Sequence, residues 1–176
     1  MKTQCHNPYL PLYEHIPDGE PHVFDGRLYV FGSHDMENGN EFCELDYVAW
    51  SAPEDDMLTV KNGPKIVIPS QDYGKGTSFE GNEYFEGPSI RKIGKKYYLV
   101  YSSVNTHQLC YAVSSLPMEG FTFGGVIVSN GDVGYKGRLE EEKLMSVGND
   151  HGGLVKVKDQ WYIFYHRHTY INQYNR

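Results

Sequence analysis

The chain has 176 residues, enough for one domain with a sizeable core. Its charge balance is acidic, 23 Asp+Glu against 16 Lys+Arg with no basic run, which excludes a nucleic-acid backbone as partner. Aromatic residues make up 14%, including 15 Tyr, and together with 19 Gly they suit β-structure, where such side chains pack on a pleated surface.

Residues 1–6 run into polar, Pro-rich sequence without the apolar centre of a signal segment. No stretch approaches the length of a membrane span, so a soluble cytoplasmic protein is expected. The first strand-like run, Pro21-His22-Val23-Phe24, turns at Asp25-Gly26 into Arg27-Leu28-Tyr29-Val30-Phe31 and predicts a β-hairpin. Leu45-Asp46-Tyr47-Val48-Ala49-Trp50-Ser51 predicts a third strand and Pro64-Lys65-Ile66-Val67-Ile68 a fourth.

The same series then repeats. Pro88-Ser89-Ile90-Arg91-Lys92-Ile93 turns at Gly94-Lys95 into Lys96-Tyr97-Tyr98-Leu99-Val100-Tyr101. Leu109-Cys110-Tyr111-Ala112-Val113-Ser114 and Gly125-Val126-Ile127-Val128 follow as third and fourth strands. A last hairpin, Gly153-Leu154-Val155-Lys156-Val157 and Gln160-Trp161-Tyr162-Ile163-Phe164, turns at Lys158-Asp159. No long window carries the 3.6-residue period of a helix, and the acidic stretch 137–145 reads as a connecting loop. Units of about four antiparallel strands repeated in this way describe blades of a β-propeller. Period and strand count favour it over a β-sandwich of hairpins. The expected fold class is therefore all-β, a partial β-propeller of four-stranded antiparallel blades, forming one domain over residues 1–176 with blade-like units at 21–68, 88–128 and 152–176.

Three cysteines, Cys5, Cys43 and Cys110, are widely spaced and unpaired in pattern, so neither a disulfide framework nor a zinc site is indicated. No Gly-rich phosphate loop lies between a strand and a helix. Neither a Trp-Asp ending nor a Gly-Gly doublet recurs at the matching place in each repeat, which ranks an interaction propeller of the WD40 or kelch type last.

Just before the first strand of each unit stand Asp18-Gly19-Glu20-Pro21, Glu86-Gly87-Pro88 and Asn149-Asp150-His151-Gly152. The first strand of a blade lines the central channel, so the repeat is expected to bring Glu20, Glu86 and His151 toward one mouth of it. A carboxylate before a strand is usually a solvated loop residue; matched positions on separate blades point beyond that. Two carboxyls across a pocket suit glycoside hydrolysis: one protonates the leaving oxygen and the other activates water. In an inverting enzyme they stand about 6.5–9.5 Å apart to admit that water.

Glu86-Gly87-Pro88-Ser89-Ile90-Arg91-Lys92-Ile93-Gly94-Lys95-Lys96-Tyr97-Tyr98-Leu99 resembles the general-acid motif of glycoside hydrolase family 43, five-bladed propellers that cleave arabinose- or xylose-containing glycosides. Asn7-Pro8-Tyr9-Leu10-Pro11 is similar to a family-like opening of the chain. The resemblance implies Glu86 as general acid and Glu20, directly before Pro21, as general base, with Asp18 the rival by residue type. It implies substrate contacts for His151 and for Arg167 in Tyr165-His166-Arg167-His168, and relates His34-Asp35 to a Gly-Ser-His-Asp segment of the family. A structural calcium ion near His151 is a further implication; no cofactor is required, and the expected partner is an oligosaccharide or small glycoside.

The departures are specific. The chain offers two blades and part of a third, and further blades are missing near Trp50-Ser51-Ala52-Pro53-Glu54-Asp55-Asp56-Met57. The family's third acid lies in that missing region, and neither Asp55 nor Asp56 has the context to replace it. Two expectations follow: self-association through open blade edges, and a catalytically silent sugar-binding fragment as the alternative to an active glycosidase.

Overall fold

The structure is a computed structural model that describes residues 9–11, 13–17, 19–40, 44–56, 62–70, 73–105, 107–143, 148 and 150–166. Among these residues it is all-β, with helical turns confined to short 3-10 segments such as Glu54–Asp56 and Glu140–Glu142. No helix among them is long and apolar enough to cross a membrane.

The first sheet carries β1 (Glu20–Phe24), β2 (Arg27–Gly32), β3 (Tyr47–Pro53) and β4 (Asn62–Ile68) in simple antiparallel order. The second repeats that order with β5 (Tyr84–Ile93), β6 (Lys96–Ser103), β7 (Leu109–Ser114) and β8 (Thr122–Val128). The third pairs β9 (His151–Val157) with β10 (Gln160–His166). Two-residue turns join β1 to β2, β5 to β6 and β9 to β10 directly as antiparallel neighbours, and longer connections continue the up-and-down order. At the first turn Asp25 (φ 52°) and Gly26 (φ 76°) are both left-handed, as the mirror-image hairpin turns require.

The core lies in the seam between the first and second sheets. Tyr29, Phe31, Tyr47 and Ile68 from one side meet Tyr84, Ile90, Leu99 and Tyr101 from the other. Tyr47 and Tyr84 stack with ring centroids 4.5 Å apart, and Phe24 meets Tyr97 edge-on at 5.3 Å. Aromatic pairs of this kind add roughly 0.5–1.5 kcal/mol beyond the area they bury. A hydrogen bond of 2.9 Å joins the hydroxyls of Ser33 and Tyr84 across the buried seam. Burial pushes the phenol of Tyr101 far above its ordinary range and the thiol of Cys110 up to about 11, so that thiol is an apolar filler. Cys110 is a free thiol; Cys5 and Cys43 lie outside the described residues.

The third sheet packs on the second through β9 against β5 and β6, and Ser89 Oγ accepts the Leu154 N–H at 3.3 Å. Among the described residues the first and third sheets are not packed on one another. The molecule is thus an open arc of three sheets, a partial propeller.

Candidate active site

Glu86 sits where β5 is irregular. The β5–β6 register shifts between Tyr84 and Glu86 and again between Glu86 and Ser89. Gly87 takes the left-handed conformation (φ 63°), which a side chain rarely adopts. The irregularity turns Glu86 toward the start of β9, where Glu86 Oε1 lies 2.9 Å from His151 Nε2. That approach is off the line of a hydrogen bond, and Nε2 has no hydrogen-bond partner among the described residues, so the pair is a close polar contact. A Cβ on Gly87 would lie 2.8 Å from His151 Cγ, which makes glycine a requirement for the close approach.

His151 pairs across the third sheet with His166, ring centroids 5.2 Å apart. Gly87, Pro88, His151, Phe164, Tyr165 and His166 line an open cavity of about 530 Å³; Glu86 reaches it only through its contact with His151. Aromatic faces and a few convergent polar groups around an open depression are what a sugar ring is bound by. Asp150, directly before His151, is fully buried.

Glu20 opens β1. Counted back from the hairpin turns, its register position is level with Ser89 and Gly153, not with Glu86 and His151. Its carboxylate works across the seam. Oε2 accepts the Ile90 N–H at 3.0 Å, Oε1 accepts from Arg91 Nη1 at 2.9 Å, and His22 Nε2 lies 3.0 Å from Oε1. Burial pulls this carboxyl upward, and the contacts from His22, Arg91 and Ile90 together outweigh it, so it ionises below its ordinary 4.5. A direct contact joins Glu86 to His151, while the Glu20 carboxylate is held by Ile90 and Arg91 of β5.

His34 is not among the residues lining the cavity. Its Nε2 lies 3.4 Å from Glu14 Oε2, the same oxygen that accepts from Trp50 Nε1 at 3.4 Å. Asp18 and Arg167 lie outside the described residues. Sequence reasoning gave no site role to Phe164 and left His166 open between a site role and simple alternation along a strand. The signal for them was the one-for-one pairing of β9 with β10, which places His166 opposite His151.

A calcium ion needs six to eight oxygen ligands. Among the described residues no three His, Cys, Asp or Glu side chains come together to hold a metal ion, and no chemical step is routed through one.

Residues 18–176 match the sequence pattern of the glycosyl hydrolases family 43. The chain belongs to this family. A "Xylosidase/arabinosidase" of Thermoclostridium stercorarium is 33% identical in an alignment covering all of this chain and 63% of the relative. That alignment runs to 300 positions, so a large part of it has no counterpart in these 176 residues. A "Beta-xylosidase" of Xylanibacter ruminicola is 32% identical over 90% of this chain and 53% of its own length. Among solved structures, the GH43 enzyme from Xanthomonas citri complexed with xylose superposes with a TM-score of 0.56 at 22% identity, covering 85% of this chain and 46% of that one. The family 43 chain spans between about half and 63% of these two curated relatives.

Proposed function

We propose that this family 43 chain acts on O-glycosidic bonds of α-L-arabinofuranosides or β-D-xylosides, with Glu86 as the general acid. The observation that carries this is the Glu86 carboxyl 2.9 Å from His151, which itself lines an open, partly aromatic cavity. The names of the curated relatives, xylosidases and arabinosidases, support the same pair of sugars. In the inverting reaction Glu86 gives its proton to the glycosidic oxygen as the bond to the anomeric carbon breaks. A base on the opposite face takes a proton from the attacking water. His151 and His166 line the sugar's cavity and are placed to contact its hydroxyls. An Arg167 contact to substrate belongs to the same reading.

The base is Glu20 or Asp18. Glu20 is held ionised, as a base must be, yet its oxygens already accept from Ile90 and Arg91, which weakens its pull on a water proton. That engagement also supports the second reading, a sugar-binding chain without turnover. The test is hydrolysis of aryl α-L-arabinofuranoside and aryl β-D-xyloside by the purified chain, beside Glu86→Gln. Hydrolysis that falls by a factor of about 100 or more in the variant supports the glycosidase reading. Hydrolysis that Glu86→Gln leaves intact sinks it, and xylose binding by calorimetry without turnover selects the silent reading.

A further inference from the structure

Side chains alternate along β2, so Arg27 shares a face with Tyr29 and Phe31, the face that packs on the second sheet. Tyr29 and Phe31 are buried in the seam, and Arg27 carries the same face to the end of the strand beside the hairpin turn. Among the described residues its guanidinium makes one side-chain hydrogen bond, from Nη2 to the neutral Ser51 Oγ at 3.0 Å. A guanidinium carries five N–H donors in a fixed fork, so most of this one remains open.

The cleft in front of it has a volume of about 450 Å³, the size of a small-molecule site. The first sheet gives it Arg27, Ser51, Asn62 and Lys65. The turn between β7 and β8 gives it Leu116, Pro117, Met118 and Glu119. Lys65 Nζ and Glu119 Oε2, 3.3 Å apart, bridge the two sheets there. Leu116 is 50% exposed, so the wall it shares with Pro117 is apolar and open to solvent. Two cations against one acid make the lining positive, in a chain of formal charge -7.

This cleft is remote from Glu86. Ser114, which ends β7, pairs with Tyr97, and Tyr97 pairs with Lys92 near the end of β5. Glu86 pairs with Ser102, at the other end of β6. The β7–β8 turn therefore stands at the far end of the second sheet from Glu86, and the cleft shares no residue with the cavity at His151.

We propose that this cleft is a second carbohydrate site and that its ligand is a sugar acid, a sugar ring bearing a carboxylate. The open fork of Arg27 matches the two oxygens of a carboxylate, a pairing that a neutral sugar does not offer. The wall of Leu116 and Pro117 takes the C–H face of the ring. Ser51, Asn62 and Glu119 supply donors and acceptors for its hydroxyls. An inorganic anion would meet the charge and leave the apolar wall uncovered.

Calorimetric titration of the purified chain with D-glucuronate tests this, with D-xylose and inorganic phosphate as separate arms. The dissociation constant for glucuronate should rise at least about tenfold in Arg27→Gln, the scale of losing a charge-assisted pair. It should stay within about twofold in Glu86→Gln, because distant sites act independently. Xylose, which lacks the carboxylate, should bind Arg27→Gln as it binds the unsubstituted chain. Leu116→Glu is the second variant. That side chain is half exposed on a turn, so the fold survives, and a carboxylate there should abolish glucuronate binding by like-charge repulsion. Far-UV circular dichroism checks the fold of each variant. The proposal is overturned by a chain that does not bind glucuronate, by binding that both Arg27→Gln and Leu116→Glu leave intact, or by phosphate binding as tightly as glucuronate. Loss of glucuronate binding in Glu86→Gln would also overturn it, by moving the ligand to the other cavity, whatever the chain hydrolyses.

Discussion

At the scale of single residues, one carboxyl shows how much placement matters. The sequence singles out Glu86 because Glu-Gly-Pro before a Tyr-rich hairpin is a specific pattern, and the structure supplies the reason for its glycine, the close packing of Gly87 on His151. Glu20 looked equivalent because it too precedes a proline, but its side chain is on the seam with β5. Sequence position could not reveal this, since the partners Ile90 and Arg91 lie some seventy residues away. The contacts that lower Glu20's pKa are contacts that stabilise the fold. A carboxyl whose folded pKa lies below 4.5 contributes its stability above that pH and loses it as the pH falls through the folded value. Glu20→Gln should therefore lower unfolding free energy by about 2 kcal/mol at pH 7, the scale of hydrogen bonds to a charged group. The difference should shrink progressively below pH 4.5. Urea titrations of both proteins at pH 7 and pH 3.5 measure it, and an equal gap at the two pH values would remove the clamp from the account.

At the scale of elements, the strands and hairpins were readable because alternation and turn chemistry are local. Asp25-Gly26 and Lys158-Asp159 each sit between runs of period two, and β1–β2 and β9–β10 form around them. The break in β5 was not readable, because a bulge is decided by what the strand must reach rather than by its own alternation. That break is the element on which the candidate site depends. With Gly87 at φ 63°, an added methyl is strained in the backbone and lies 2.8 Å from the His151 ring. Gly87→Ala should cost about 1 kcal/mol in stability. It should also push the imidazole off Glu86 and weaken xylose binding by a factor of about ten. Calorimetric titration with xylose reads the second effect. Unchanged binding would mean that the contact between Glu86 and His151 plays no part in holding the sugar.

At the scale of the whole molecule, three sheets make an arc whose two ends carry apolar faces, and this departure from a closed ring was visible in the sequence as a count of repeats. What could not be read there is that the first sheet seats directly on the second and buries its aromatic side against it. That seam consumes one face of each sheet and fixes which faces are left over. If two copies form the cooperative unit, unfolding releases two chains, and mass action makes the midpoint depend on concentration. With an unfolding entropy of about 2.1 cal/mol/K per residue, a dimer of this length should gain roughly 2 °C in Tm per tenfold rise in concentration. Scans over a hundredfold range of protein concentration read this. A Tm that does not move in the unsubstituted chain would place all the folding free energy within one copy, and the open faces would then be ordinary surface.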